Sequence, residues 1–517
     1  MNIHFQKLAL VLTFTLILLP APTFAIDWGE GIPNFQPSRP LLNGQGQHAA
    51  WEAVGRLTVE GGMDCTGALL DTRQTGAPSD APAYVLTAGH CTHALNDPLS
   101  IIHDVDAEGS ITFNYFQDTQ AQRKVFKVKR ITWSTLRGSD ISIIELVPDL
   151  DTVIKSGVPP LKLKTGPSPA QLPMLVVGAP LAHQGAEGYL RMSACIEQPS
   201  AAVVEHIWVW VNERSNGCHD IYSGISGSPM LDRYTNEIIG VINTSTWGGK
   251  LSRCSFNDPC EVENGVINKK TNTSYGSSTQ GLTECFSAGR FTVDSVNCPL
   301  GAPTTFVLGD EPPLGFIKGG DGPWQWKQTF SVNASGVRYK YVRSATDCAA
   351  LENYSDAIPA TGLVTISNSM TQGPGITFLC VLPLETLIGP VRPNFSNSVV
   401  IFYRWLINQP PLIPPQYTRT YHSETRTHKF VLEDVTPDLD ITAYRYKFGE
   451  PAQLNCDSDE DYISINPRFP IFEVEVDSQP AVVCIAGKDR VGQESPRTWL
   501  HLAPAVPPAR PLASTGQ

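Results

Sequence analysis

Two short stretches carry residues that can do chemistry together. Gly224-Ile225-Ser226-Gly227-Ser228-Pro229 sets a serine among small residues. Such a stretch can hold a tight turn with backbone N–H groups directed into a cleft, which is what a nucleophilic hydroxyl needs. Far upstream, Leu86-Thr87-Ala88-Gly89-His90-Cys91 ends an apolar, strand-like run in a histidine. A neutral imidazole there supplies the base that takes the proton of an attacking hydroxyl. The plainer readings are a Ser/Gly turn between strands and a buried structural histidine. Of the 11 histidines, however, only His90 stands between a strand-like run and a cysteine.

In this order the two motifs resemble the trypsin/chymotrypsin-like serine peptidase family, over roughly 40–285. The resemblance implies a third member, a carboxylate that precedes an apolar strand and lies between the other two. Asp140, in Gly138-Ser139-Asp140-Ile141-Ser142-Ile143-Ile144, meets this; Asp104, Asp106 and Asp118 compete but sit in loops or polar flanks. It further implies roles. Ser226 attacks, His90 is general base, Asp140 fixes the imidazole, and the N–H groups of Gly224 and Ser226 form the oxyanion hole. The family's disulfide beside the base corresponds to Cys65–Cys91.

Asp220 lies six residues before Ser226, where trypsin carries the carboxylate that selects Lys or Arg. The other reading is a solvated loop aspartate beside His219. Asn243-Thr244-Ser245 follows a strand-like run and is placed to offer backbone groups to an extended peptide. Two positions depart from the family: Ile225 stands where zymogens carry an aspartate for the new N-terminus, and Tyr222 stands where a bracing cysteine is usual. Ile225 cannot form that ion pair, so activation by N-terminal insertion is not implied.

Positioning these residues requires rigid β-structure, and the rest of the chain has that pattern. Short alternating or apolar runs recur at 53–59, 66–70, 83–87, 110–115, 125–133 and 140–146. A second set covers 174–177, 206–212, 228–231 and 237–244. Evenly spaced short strands indicate an all-β fold, and the family resemblance makes it a two-barrel, chymotrypsin-like domain joined near 148–173. Beyond it, Tyr339-Lys340-Tyr341 precedes Cys348 and Cys380, and Tyr444-Arg445-Tyr446 precedes Cys456 and Cys484. Cysteines about thirty residues apart, the second within an apolar strand, fit two small immunoglobulin-like β-sandwiches with internal disulfides.

The expected organisation is therefore a signal peptide over 1–25, an extended and partly mobile lead-in over 26–46, and the protease domain over 47–298. A Pro/Gly-rich linker over 299–325 follows, then sandwiches over 326–408 and 409–505 and a disordered tail over 506–517. The leader reading rests on Lys7, the apolar run 8–19 and the Thr23-Phe24-Ala25 cleavage site, too short to span a bilayer. It implies secretion, extracellular or periplasmic. In that setting the 12 cysteines read as disulfides, with proximity suggesting Cys195–Cys218, Cys254–Cys260 and Cys285–Cys298 beside the pairs above. No Cys-x-x-Cys spacing suggests a structural metal, and no cofactor is expected. A net charge of −12 argues against nucleic acid as a partner, and no later stretch reads as a membrane span.

The leading function is a secreted serine endopeptidase acting on protein or peptide substrates through an acyl-enzyme, with a catalytic part before Pro299 that works alone. The competing one is an inactive protease-like adhesin whose C-terminal modules bind a surface or protein ligand. Retention of all three catalytic residue types favours the enzyme.

Overall fold

The computed structural model describes residues 26–503 except 74–75, 77, 79, 93–98, 170, 182–187, 249–253, 296, 321, 372, 392–394, 434–440, 467–468 and 477–478. The expected leader and the tail lie outside the described residues. No helix among those residues is long and apolar enough to cross a membrane.

Seven antiparallel strands make the first sheet, in the order Ile101–Asp106, Lys124–Thr135, Gly109–Phe113, Val54–Val59, Cys65–Leu69, Pro82–Thr87 and Ile141–Asp149. Alternation drives it: Leu57 and Val59 are buried while Thr58 between them is exposed. Lys124–Thr135 also pairs with Ile141–Asp149. That contact closes six strands into a barrel, with Ile101–Asp106 attached outside, and closure removes unpaired edges.

The second sheet has ten strands, six of which follow one another as Arg191–Ile196, Pro173–Gly178, Pro229–Asp232, Ile238–Ser245, Ser274–Ser278 and Trp208–Asn216. A bridge between Glu197 and Asn216 joins the two ends, giving a second six-stranded barrel. Its last strand is shared. Arg214 to Asn216 pair within the barrel, whereas the start of Trp208–Asn216 pairs with Ala201–Glu205, which in turn pairs with Cys260–Glu263. A short helix, Leu150–Lys155, lies between the barrels, its N-terminus capped by the Asp149 carboxylate at 2.7 Å from Thr152 N.

The structure adds to three expectations. The lead-in 26–46 is tied to the second barrel. Arg39–Pro40 pairs with Met192 and Arg191, and Asp27 receives two hydrogen bonds from the Arg233 guanidinium, at 2.7 and 2.9 Å. The stretch 299–325 contains the strands Phe306–Leu308 and Leu314–Lys318, whose apolar residues pair into the sheets that follow. The repeat is real but shifted. Lys340 pairs with Cys380 and Lys447 with Cys484, so Tyr339-Lys340-Tyr341 corresponds to Tyr446-Lys447-Phe448 rather than to Tyr444-Arg445-Tyr446. A two-residue shift preserves which face each residue takes, so alternation alone could not choose the register. Both lysines donate to two loop carbonyls, Ala350 and Glu352 in one copy and Ser458 and Glu460 in the other.

The C-terminal sheets pair into two β-sandwiches. In the first, Phe306, Trp326 and Phe330 pack against Leu379, Val381 and Phe402; in the second, Phe430 and Phe472 pack with Val483 and Ile485. The disulfides Cys348–Cys380 and Cys456–Cys484 do not join the two sheets of a sandwich. Cys380 lies on the opposite face of its strand from Leu379 and Val381, in a different apolar cluster. That cluster joins the first sandwich to the second barrel: Val204, Val209, Val211 and Val262 are buried with Ala345, Ile376, Phe378 and Leu382. Backbone bonds reinforce the contact, from Gly265 N to Arg343 O at 2.7 Å and from Ile376 N to Gly265 O at 2.8 Å.

Candidate active site

His90 stands on the single turn Gly89–Cys91 that follows strand Pro82–Thr87. The turn is tied to the neighbouring strand by the Cys65–Cys91 disulfide, with the Cα atoms 6.0 Å apart. Asp140 immediately precedes strand Ile141–Asp149 and is fully buried. Its carboxylate grips the histidine twice: Oδ1 accepts from the His90 backbone N–H at 2.9 Å, and Oδ2 lies 2.7 Å from Nδ1. This fixes the ring's direction and puts the proton of a neutral imidazole on Nδ1, leaving Nε2 as the acceptor. Burial alone would lower the His90 pKa, but the Asp140 charge and hydrogen bond outweigh it and hold the ring above the usual histidine range.

Ser226 comes from the second barrel, on the turn before strand Pro229–Asp232. Gly224 and Gly227 adopt φ of +89° and +84°, which a side chain would strain. A Cβ at Gly224 would come within 2.6 Å of Leu181 N, and one at Gly227 would collide with Thr66 O and Thr87 Oγ1. The turn is pinned to the first barrel through Thr66, whose N–H donates to Ser226 O and whose hydroxyl donates to Gly224 O, both at 2.8 Å. Among the described residues, no acceptor takes the N–H of Gly224 or of Ser226, whereas Ile225 N donates to Tyr222 O. Two donors are thus left beside the serine. Ser226 Oγ itself donates to Asn243 O at 3.3 Å.

His90 and Ser226 line one cleft of about 300 Å³. Asn243, Thr244 and Ser245 line it too, as does Gly224. Asp220 is not among the lining residues; its carboxylate accepts from the Ser38 backbone N–H of the lead-in at 2.6 Å. It also accepts from the Tyr222 hydroxyl, and burial first and the Asp220 charge second push the Tyr222 pKa up. The carboxylates that do reach the cleft are Asp64 and Glu205, the latter receiving bonds from Thr244 Oγ1 and, at 2.8 Å, from Asn257 N.

Several lining residues escaped sequence reasoning. Trp208 and Trp210 stack with centroids 6.1 Å apart, and Trp208 meets Phe256 at 5.8 Å. The Trp-x-Trp alternation was a visible signal; the Phe256 contribution, made through the Cys254–Cys260 loop, was not. All six disulfides join the pairs suggested by spacing and resemblance, including Cys195–Cys218 and Cys285–Cys298.

Behind the cleft lies Glu213, wholly buried. Its Oε1 accepts from Ser277 Oγ at 2.8 Å and its Oε2 from Asn243 Nδ2 at 2.9 Å. Burial raises its pKa to about 8 against the pull of those two bonds, and the nearby Asp140 charge adds to the rise.

Two closed six-stranded barrels, one bearing a histidine–aspartate pair and the other a serine on a glycine turn, form the fold of chymotrypsin-like serine proteases. Residues 44–259 match the family model described as Trypsin, and this part of the chain is a Trypsin-family domain. No curated protein shows significant similarity to the chain. Similar solved structures include the thermostable serine protease AL20 from an extremophilic microorganism, 13% identical over 45% of this chain and 93% of that one, at a TM-score of 0.29. Protease Anisep from Arthrobacter nicotinovorans is 14% identical over 44% and 90%, at 0.30. Human heparin binding protein is 14% identical over 47% and 90%, at 0.28.

Proposed function

We propose that the protein is a secreted serine endopeptidase in which His90, Asp140 and Ser226 form the triad. The observation that carries this reading is the 2.7 Å His90–Asp140 contact on the cleft that Ser226 also lines. His90 Nε2 takes the proton as Ser226 Oγ attacks the carbonyl of a peptide; Asp140 stabilises the resulting imidazolium, and His90 returns the proton to the leaving amine. The resulting acyl-enzyme is hydrolysed by water along the same route. The N–H groups of Gly224 and Ser226 receive the oxyanion, and losing one such donor typically costs about 10²–10³ in rate. Secretion fits the leader-like N-terminus and six disulfides.

For specificity, the engagement of Asp220 by Ser38 N–H and Tyr222 favours its reading as a structural aspartate. Ile221, Tyr222, Ile242 and Trp247 line the cleft instead, and we infer cleavage after uncharged side chains. The boundaries 47–298 and 409–505 remain our proposed domains; the first sandwich, expected at 326–408, takes in the strands Phe306–Leu308 and Leu314–Lys318 as well and is packed onto the catalytic domain. Ser226→Ala tests the reading: it should abolish hydrolysis of peptide and ester substrates with the fold retained, and near-wild-type turnover would sink it.

A further inference from the structure

A buried glutamate facing two polar side chains is costly to keep in a strand, and two irregularities of the second sheet put it there. In strand Trp208–Asn216 the pairing with Ala201–Glu205 slips between Val203 and Ala201, where Trp210 and Glu213 stand opposite. The extra residue falls at Asn212, which has φ of +56°. Without it, Glu213 would share the face of Val209 and Val211, which pack on the first sandwich. With it, Glu213 turns to the opposite face, towards the active site. In strand Ile238–Ser245 the pairing with Ser274–Ser278 slips between Ile242 and Thr244, and the extra residue is Asn243. β-Bulges redirect single side chains at the cost of ladder bonds. Here the two bulges bring Glu213 and Asn243 together.

What they hold is the catalytic apparatus. Ser277 Oγ donates to Glu213 Oε1 and accepts from the Asp140 backbone N–H, each at 2.8 Å. Asn243 Nδ2 donates to Glu213 Oε2 at 2.9 Å, and Asn243 O is the acceptor for Ser226 Oγ at 3.3 Å. Asn243 Oδ1 also accepts from Thr244 N at 2.7 Å. One carboxyl group is therefore linked, through one side chain each, to the aspartate that orients the base and to the carbonyl on which the nucleophile rests.

We propose that Glu213 is a positioning residue of the active site, which through Ser277 and Asn243 sets the placement of Asp140 and Ser226. The proposal rests on the triad reading given above. A carboxyl kept neutral by burial suits this place: it accepts from Asn243 Nδ2 and, in that neutral form, turns its own O–H to Ser277 Oγ, joining both partners without setting a second negative charge behind Asp140.

The test is steady-state kinetics of the full chain on a small ester and on a peptide, with rates normalised to active sites titrated by a serine-directed phosphonate. Glu213→Leu leaves Ser277 and Asn243 without this partner, and we expect kcat to fall about 10²-fold with KM little changed. Glu213→Gln, which resembles the neutral acid, should restore kcat to within a few-fold. Should the leucine variant fail to fold, Ser277→Ala cuts the link to Asp140 alone and should lower kcat without raising KM. Wild-type kcat in folded Glu213→Leu or in Ser277→Ala overturns the proposal, as does loss appearing only as a smaller titratable fraction. If Ser226→Ala keeps the wild-type rate, the triad reading fails instead, and the two failures are distinguishable.

Discussion

Replacing Glu213 by glutamine should change how stability depends on pH. The group's ordinary pKa is 4.5 and burial raises it to about 8 in the folded protein. Between those values the unfolded chain has released the proton while the folded protein retains it. The unfolded state thus binds fewer protons, and stability falls as pH rises, by up to about 1.4 kcal/mol per pH unit. At pH 7 this amounts to about 3 kcal/mol, and above pH 8 to about 5 kcal/mol. The groups facing Glu213 are Ser277, Asn243 and Asp140, and the last is unchanged by the substitution. Urea midpoints of Ser226→Ala and Ser226→Ala/Glu213→Gln, measured from pH 5 to 8, isolate the effect without autolysis. Relative to its parent, the glutamine variant should gain stability steadily across this interval. Parallel curves with a constant gap would refute the reasoning, for they would mean that Glu213 is ionised in the folded state or free to shed its proton.

His90→Ala should match Ser226→Ala in lost activity, and the double variant should be little worse than either, because triad effects are non-additive; additive losses measured by kcat/KM would argue against a concerted unit. Because the Asp140 charge raises His90 above its ordinary 6.5, the acid limb of kcat/KM should lie above about pH 6.5, and Asp140→Asn should move it to lower pH in whatever activity remains. Profiling wild type and Asp220→Ala on one peptide library should give the same preference for uncharged residues; a wild-type preference for arginine that the variant loses would return Asp220 to the pocket. A fragment of residues 26–299 exposes Val204, Val209, Val211 and Val262, each burial contributing about 1.5–3 kcal/mol, so it should aggregate or melt well below a fragment of residues 26–408, as followed by thermal scanning and activity.

The parts legible in the sequence are those whose chemistry is local. Ser226 needs small neighbours for its turn, His90 needs a strand before it and a cysteine after it, and Asp140 needs the apolar strand that follows. Each requirement is written within a few residues, so the motif and the geometry coincide. Cysteine pairing was legible for a related reason, since short loops bring the partners into reach. Asp220 is different. Its spacing from Ser226 matched a pocket carboxylate, but its φ of +61° and the Ser38 N–H bond turn it to the lead-in, and neither is visible as a spacing. The shared core was hidden because strand Gly375–Leu384 is buried on both faces, and a continuous apolar run does not say which neighbour covers which face.

The buried network behind the proposed triad shows why alternation fails in strand Trp208–Asn216. Reading 208–213 with a period of two assigns Glu213 to the valine face, where a charged residue would point into the apolar contact with the first sandwich. The chain avoids that outcome with one left-handed residue, Asn212, and a second bulge, at Asn243, meets it from across the intervening strand Ser274–Ser278. A carboxyl group in an otherwise apolar strand is thus a signal in itself: either the strand is not buried or its register is broken beside it. Here the register is broken, and the break faces the Asp140 backbone. Polar residues that violate a strand's pattern are accordingly the places to look for groups that act on a catalytic site from behind.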